Sequence, residues 1–213
     1  MNEQPHMSGM ILLLVGAAAV LFASGIRLYW FIGAGTLVVG ALYYIITQTE
    51  YMAGRLNSWQ NPLADLQGSG YQLYQSQIAI GSGGLLGVGL GNGRQKYMFL
   101  PEEHNDFIFA IVWEELGFVG AVIIMALFAL LIIRGYWLAI HARDRFGTLL
   151  IVGLTTLIAA QTLLNIGVVT GALPTTGISL PFFSYGGTAL MIQLASMGLI
   201  LSVSRQITAP KAE

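Results

Sequence analysis

Five stretches of this chain are almost wholly apolar: residues 9–26, 28–47, 107–133, 149–173 and 182–203. Each is close to the roughly 20 residues that, at about 1.5 Å per residue, a helix needs to cross a bilayer core of about 30 Å. In hydrocarbon the backbone has no water to bond, so it must satisfy itself as a helix or as a closed barrel. Long unbroken apolar runs, rather than alternation, select the helix. Charged residues make up only 9% of the 213, against 55% hydrophobic, whereas a soluble domain carries about 25% charge. The expectation is an all-α integral membrane protein, a multi-span bundle of about five transmembrane helices. It forms one transmembrane domain over residues 1–213, with one large extracytoplasmic loop, 48–106.

Other classes fall away on charge and residue type. A net charge of −1 with no basic cluster excludes nucleic acid as a partner. The absence of cysteine excludes disulfides and thiolate metal sites. No H-E-x-x-H spacing is present, so no metal ligands are assigned. Residues 1–5 are polar and acidic rather than basic, unlike the start of a signal peptide.

Basic residues set the orientation. With the 134–146 loop placed inside, Arg27, Arg134, Arg143, Arg145, Arg205 and Lys211 share that side, leaving Arg55, Arg94 and Lys96 opposite. The 48–106 loop therefore faces outward. The first two apolar stretches, separated only by Arg27, read as a tight hairpin or as one long broken helix. Within the loop, 78–93 is apolar yet carries seven glycines. It suits a re-entrant or interfacial segment packed on protein better than a lipid-exposed helix.

Polar groups within or beside the spans carry the candidate chemistry, because they are costly there. Glu102, Glu103 and Asp106 share a helix face if the third span begins near residue 102, beside the titratable His104. A carboxylate partly withdrawn from water suits a general base; Asp106 or Asn105 could equally cap the helix. Glu114 and Glu115, about two turns further, need a cationic partner, a cavity, or a proton and a hydrogen bond from a neighbouring helix. Gln161 and Asn165 lie one turn apart and read as interhelical hydrogen-bonding groups. The glycines of 81–93 could present backbone N–H groups to a phosphate, or could simply form a flexible linker. A polar loop, 174–187, holds Ser184 and leads into the last span.

Several words recur in a recognisable order. Tyr71-Gln72-Leu73-Tyr74-Gln75-Ser76 precedes Ala79-Ile80-Gly81-Ser82-Gly83-Gly84-Leu85, Gly89-Leu90-Gly91-Asn92 and Gln95-Lys96. Leu100-Pro101-Glu102, His104, Asp106-Phe107-Ile108-Phe109-Ala110 and Glu114-Glu115-Leu116-Gly117 follow. Asn165-Ile166-Gly167-Val168, Leu173-Pro174-Thr175-Thr176-Gly177 and Ser184-Tyr185-Gly186-Gly187 complete the series. In this order the chain resembles the SEDS family (shape, elongation, division and sporulation), and its FtsW and SpoVE branch more than its RodA branch. Two departures stand out. The family resembles a ten-span bundle where this chain supplies about five, so the sequence reads as the C-terminal half of such a bundle, and Thr176 stands where some relatives carry lysine.

The resemblance implies a multi-pass protein of the bacterial cytoplasmic membrane. It implies a peptidoglycan glycosyltransferase that polymerises lipid II at the outer face during cell division or spore formation. By the family's pattern Asp106 is the catalytic base. Lys96, Arg94 and Arg55 are expected as cations for the pyrophosphate, with Glu102, His104, Glu114, Glu115 and Ser184 as further substrate-binding residues. The implied partners are lipid II, a class B penicillin-binding transpeptidase and other divisome membrane proteins. The cofactor is left open, a divalent cation included. A lipid II flippase and a non-catalytic division scaffold are the competing readings.

Overall fold

Helix follows the apolar stretches wherever they occur. The computed structural model describes residues 7–48, 50–64, 69–95 and 106–208, and among these there is no strand. The helices are α1 (Met7–Ala23), α2 (Leu28–Gln48), α3 (Glu50–Gln60), α4 (Ser69–Gly83), α5 (Ile108–Ile140), α6 (Arg145–Val169) and α7 (Gly187–Thr208). Among the described residues three helices, α5, α6 and α7, are long and apolar enough to cross a membrane. The 17 residues of α1 reach about 25 Å, the short end of a span. Leu13, Leu37, Ile133 and Leu163 are among many large apolar side chains on the outside, as lipid in place of water allows.

The centre of the bundle is α6, with α5 and α1 packed along it and α7 against its start. Small residues permit the close approaches. Gly16 of α1 faces Leu157, and Gly153 of α6 faces Val20, so α1 and α6 run antiparallel. Gly135 of α5 faces Thr155, and Tyr136 shares a 2.9 Å hydrogen bond with Thr156 next to it. The turn between α5 and α6 is closed by Asp144, whose carboxylate caps α6 by accepting from the Gly147 N–H at 3.0 Å. In contrast to a tight hairpin, α2 does not pack along α1; the two meet near their junction, where the Phe22 and Phe31 rings lie 6.0 Å apart.

These directions gather the basic residues at one end. Arg27 follows the far end of α1, Arg143 and Arg145 flank the α5–α6 turn, and Arg205 lies in the last turn of α7. The start of α1, the end of α6 and the start of α5 lie at the other end. There Phe107, Phe109, Ala110, Val168, Val169 and Leu180 form a buried cluster.

One feature interrupts this regularity. Within α5, Gly117 has φ 71° and ψ −173°, which breaks the helix. Two of the bonds a continuous helix would make there, from Phe118 to Glu114 and from Val119 to Glu115, are replaced by bonds to the loop after α4. Val88 and Gly89 N–H donate to the carbonyls of Glu114 and Glu115 at 3.0 and 3.1 Å. Phe118 and Val119 N–H donate to the carbonyls of Gly84 and Leu85 at 2.9 and 3.1 Å. The four groups of those two bonds are thus satisfied, as a water-poor setting requires.

Candidate functional site

Asp106 is half-buried at the end of the bundle away from the arginine-rich turn. The helix that follows it begins at Ile108 rather than near 102, and its N-cap is Phe107, which has no side-chain oxygen to offer. Asp106 therefore stands one residue outside the cap position. What fixes it is α6: the Nδ2 of Asn165 donates to the Asp106 carbonyl at 2.7 Å and to the Ile178 carbonyl at 2.8 Å. Asn165 is buried, so the hydrogen-bonding role expected of it is met by joining the start of α5 to the loop after α6.

That loop is held from several sides. Arg55 Nη1 donates to the Thr175 carbonyl at 2.8 Å and Trp59 Nε1 to the Gly171 carbonyl at 2.8 Å, both from α3. Ser76 of α4 donates to the Val169 carbonyl at 3.1 Å, and Ser8 of α1 donates to the Thr176 carbonyl. Gly177 turns the loop with φ 71°, and a β-carbon there would lie 3.6 Å from Asp106 Oδ2. Arg55, whose guanidinium grips Thr175, and the Asp106 carboxylate are thus brought to the same short segment, 175–178.

A second cluster forms at the Gly117 break. Glu114 is 2% exposed, and its two carboxylate oxygens accept from the backbone N–H groups of Arg94 and Gln95 at 2.9 and 3.2 Å. A cation, a cavity or a hydrogen bond from a neighbouring helix were the alternatives for this acid; the structure supplies two main-chain donors from the 94–95 segment. Gly93 packs against both Glu114 and the half-buried Glu115, where a β-carbon would come within 3.1 Å of Glu115 Oε1 and 2.9 Å of Glu114 Oε2. The side chain of Arg94 is exposed while its backbone is anchored. The glycine-rich segment is packed on protein, as its composition suggested. Its N–H groups at 87–89, however, bond carbonyls of Gly83, Glu114 and Glu115, so they are not open to a phosphate.

Ser184 lies on the far side of the break. It is half-buried in the turn before α7, where its hydroxyl donates to the Leu180 carbonyl at 3.1 Å, and the neighbouring Phe183 ring meets Phe128 at 6.0 Å. The turn includes Phe182 at φ 65°, held by a 2.6 Å bond from its N–H to Gln193 Oε1. Lys96, Glu102 and His104 fall outside the described residues. Among the described residues no three His, Asp or Glu side chains gather around a metal position.

Sequence reasoning missed Gln193, Trp59 and the break at Gly117. A glutamine inside an apolar span and a glycine directly after two acids are the available signals for the first and last of these.

Comparison with known proteins shows the family. The family described as cell cycle protein FtsW/RodA/SpoVE matches residues 1–209. A probable peptidoglycan glycosyltransferase FtsW of Geobacter metallireducens is 43% identical over 203 residues, covering 95% of this chain and 54% of the relative. Stage V sporulation protein E of Bacillus subtilis is 45% identical over 193 residues, covering 90% of this chain and 53% of the relative. Among solved structures, a peptidoglycan synthase complex that coordinates polymerization and crosslinking matches with TM-score 0.78 at 30% identity, over 97% of this chain and 58% of that one. The rod shape determining protein RodA of Thermus thermophilus matches with TM-score 0.61 at 28% identity, over 97% of this chain and 52% of that one. The chain spans about half the length of the curated relatives it matches.

Proposed function

Because the chain belongs to the FtsW/RodA/SpoVE family of multi-pass membrane proteins, we propose that it carries the catalytic end of a peptidoglycan glycosyltransferase acting on lipid II. The reaction joins the 4-hydroxyl oxygen of one disaccharide to the anomeric carbon of another. The bond from that carbon to the pyrophosphate oxygen breaks, and undecaprenyl pyrophosphate leaves. Asp106 takes the hydroxyl proton as the new bond forms. Arg55, Arg94 and Lys96 lie on the same outward side by charge distribution and offset the charge of the departing pyrophosphate.

The observation that carries this reading is the placement of Asp106: outside the helix cap, half-buried, and facing a loop pinned by Arg55 and Asn165. A carboxylate kept only to start α5 would be expected at the cap itself. Glu114 acts in this scheme through Arg94 and Gln95, by fixing the backbone that presents the Arg94 side chain. A transport path lined by Glu114 gains no support, since both of its oxygens are engaged. A penicillin-binding transpeptidase is the partner proposed to cross-link the product, in keeping with the synthase complex to which the chain is similar.

The test is Asp106→Asn in the protein purified from membranes. Asn is nearly isosteric and keeps the main-chain bond from Asn165, so expression and thermal stability should be preserved. Lipid II polymerisation should fall by the ~10²–10⁴-fold typical of losing a general base, with substrate binding changed far less. A stable variant that still makes glycan at a near-normal rate would refute the assignment.

A further inference from the structure

The side-chain amide of Asn165 bonds two main-chain carbonyls and, among the described residues, nothing else. Asn165 lies in the last turns of α6 and is 1% exposed. Its Nδ2 carries two hydrogens, and each goes to a different segment, one to the Asp106 carbonyl at 2.7 Å and one to the Ile178 carbonyl at 2.8 Å. These two acceptors fix which way the amide points, since its oxygen in that place would face both carbonyls. The Oδ1 is buried and has no partner among the described residues. An unbonded buried oxygen lowers stability, so stability alone is a poor reason for an amide here.

The first turn of α5 shows what the amide holds back. Aspartate is among the best helix N-caps and phenylalanine is not, yet the cap is Phe107. A helix begun one residue earlier would bond the Ala110 N–H to the Asp106 carbonyl. That N–H instead bonds the Phe107 carbonyl at 2.9 Å, and the Asp106 carbonyl goes to Asn165. Because the Ile178 carbonyl is held by the same nitrogen, the amide also fixes how far residue 106 stands from the 177–178 backbone. Gly177, at φ 71°, faces the carboxylate across that gap, where a β-carbon would lie 3.6 Å from Asp106 Oδ2. We propose that Asn165 is a positioning residue for glycosyl transfer. Its amide keeps Asp106 from being drawn into α5 as a cap and holds the carboxylate at a set distance from the 177–178 backbone. This role depends on Asp106 being the base; Asn165 is itself enclosed and acts through it. Misplacing a reacting group by about 1 Å can cost on the order of 10²-fold in rate, so one amide is enough for a large effect.

Two measurements on the protein purified from membranes test this. In lipid II polymerisation, Asn165→Leu should lower kcat by about 10- to 100-fold while KM stays within about twofold. The second readout needs no catalysis. The chain has no cysteine, so Asp106→Cys combined with Gly177→Cys sets a single pair of thiols across the gap for oxidation to a disulfide. The pair should bridge readily, and adding Asn165→Leu should cut the yield severalfold; the strain of a side chain at position 177 is common to both proteins and cancels. Should Asn165→Leu fail to fold, Asn165→Asp carries the test. It keeps the shape but has at most one proton to donate, so it can hold one carbonyl and not both, and kcat and bridging should fall together. Unchanged kcat, a rise in KM alone, or equal bridging with and without Asn165 would each overturn the proposal. Failure of the base assignment is separate, since it shows as an active Asp106→Asn protein whatever the bridging.

Discussion

Two carboxylates of this chain, eight residues apart, meet opposite fates. Asp106 is left half-buried at the edge of the bundle, and Glu114 is enclosed and occupied by backbone. The difference shows what each substitution should do. Removing the Glu114 carboxylate strands the Arg94 and Gln95 N–H groups in a buried position, at about 1–3 kcal/mol for each unsatisfied group. Glu114→Leu should therefore lower thermal stability in detergent by several degrees and release the 92–95 segment to proteolysis. Glu114→Gln, which keeps one acceptor, should lie between it and wild type. Melting curves with limited digestion measure both effects, and a Leu variant as resistant as wild type would contradict the anchoring role. From sequence, both acids were visible as anomalies beside lipid. Their partners were not, because a main-chain N–H leaves no mark in the sequence and the contact bridges 20 positions.

At the scale of elements, the apolar runs announced their helices because length and hydropathy are local properties. The ends were less legible. The third run was expected to stop at Arg134, yet α5 continues to Ile140, since a long arginine side chain can reach the interface from within a span. Its start falls at Ile108, one residue from the start of the apolar run and not near 102, where a shared face for Glu102, Glu103 and Asp106 would have needed it. The break at Gly117 went unread because a glycine inside an apolar run is common, and only the loop 30 positions earlier makes it a discontinuity. Gly117→Ala would place a β-carbon 2.6 Å from the Leu85 carbonyl oxygen on a backbone with φ 71°. A residue with a side chain at φ 71° and ψ −173°, a region essentially reserved for glycine, already costs about 1–3 kcal/mol, and the clash adds to it. The variant should give little monodisperse protein on size-exclusion chromatography. Gly33→Ala in α2, where nothing lies within 4 Å, should behave as wild type or slightly better, which makes it the control.

For the molecule as a whole, the contacts collect Asp106, Arg55 and the 171–178 loop at one end and the 134–146 arginines at the other. Charge asymmetry predicts the first end to be outside. Cysteines introduced at Asn57 and Ala142 test this with an impermeant maleimide on intact cells: position 57 should label and position 142 should not, and the reverse pattern would invert the whole arrangement. Almost none of α7 is buried, so its surface is left for lipid or for other polypeptide.

The order of synthesis gives the Gly117 break a further consequence. A ribosome delivers residues 84–89 well before residues 114–119, so the loop exists by the time α5 leaves the translocon. Broken helix ends released into hydrocarbon without partners would be strongly disfavoured. Here the partners are already made and are attached to a helix, α4, that flanks the growing span. Assembly of this half-bundle therefore has a direction written into it: a circular permutant that made α5 ahead of α4 would leave the two carbonyls and two N–H groups waiting in the membrane for a loop not yet translated.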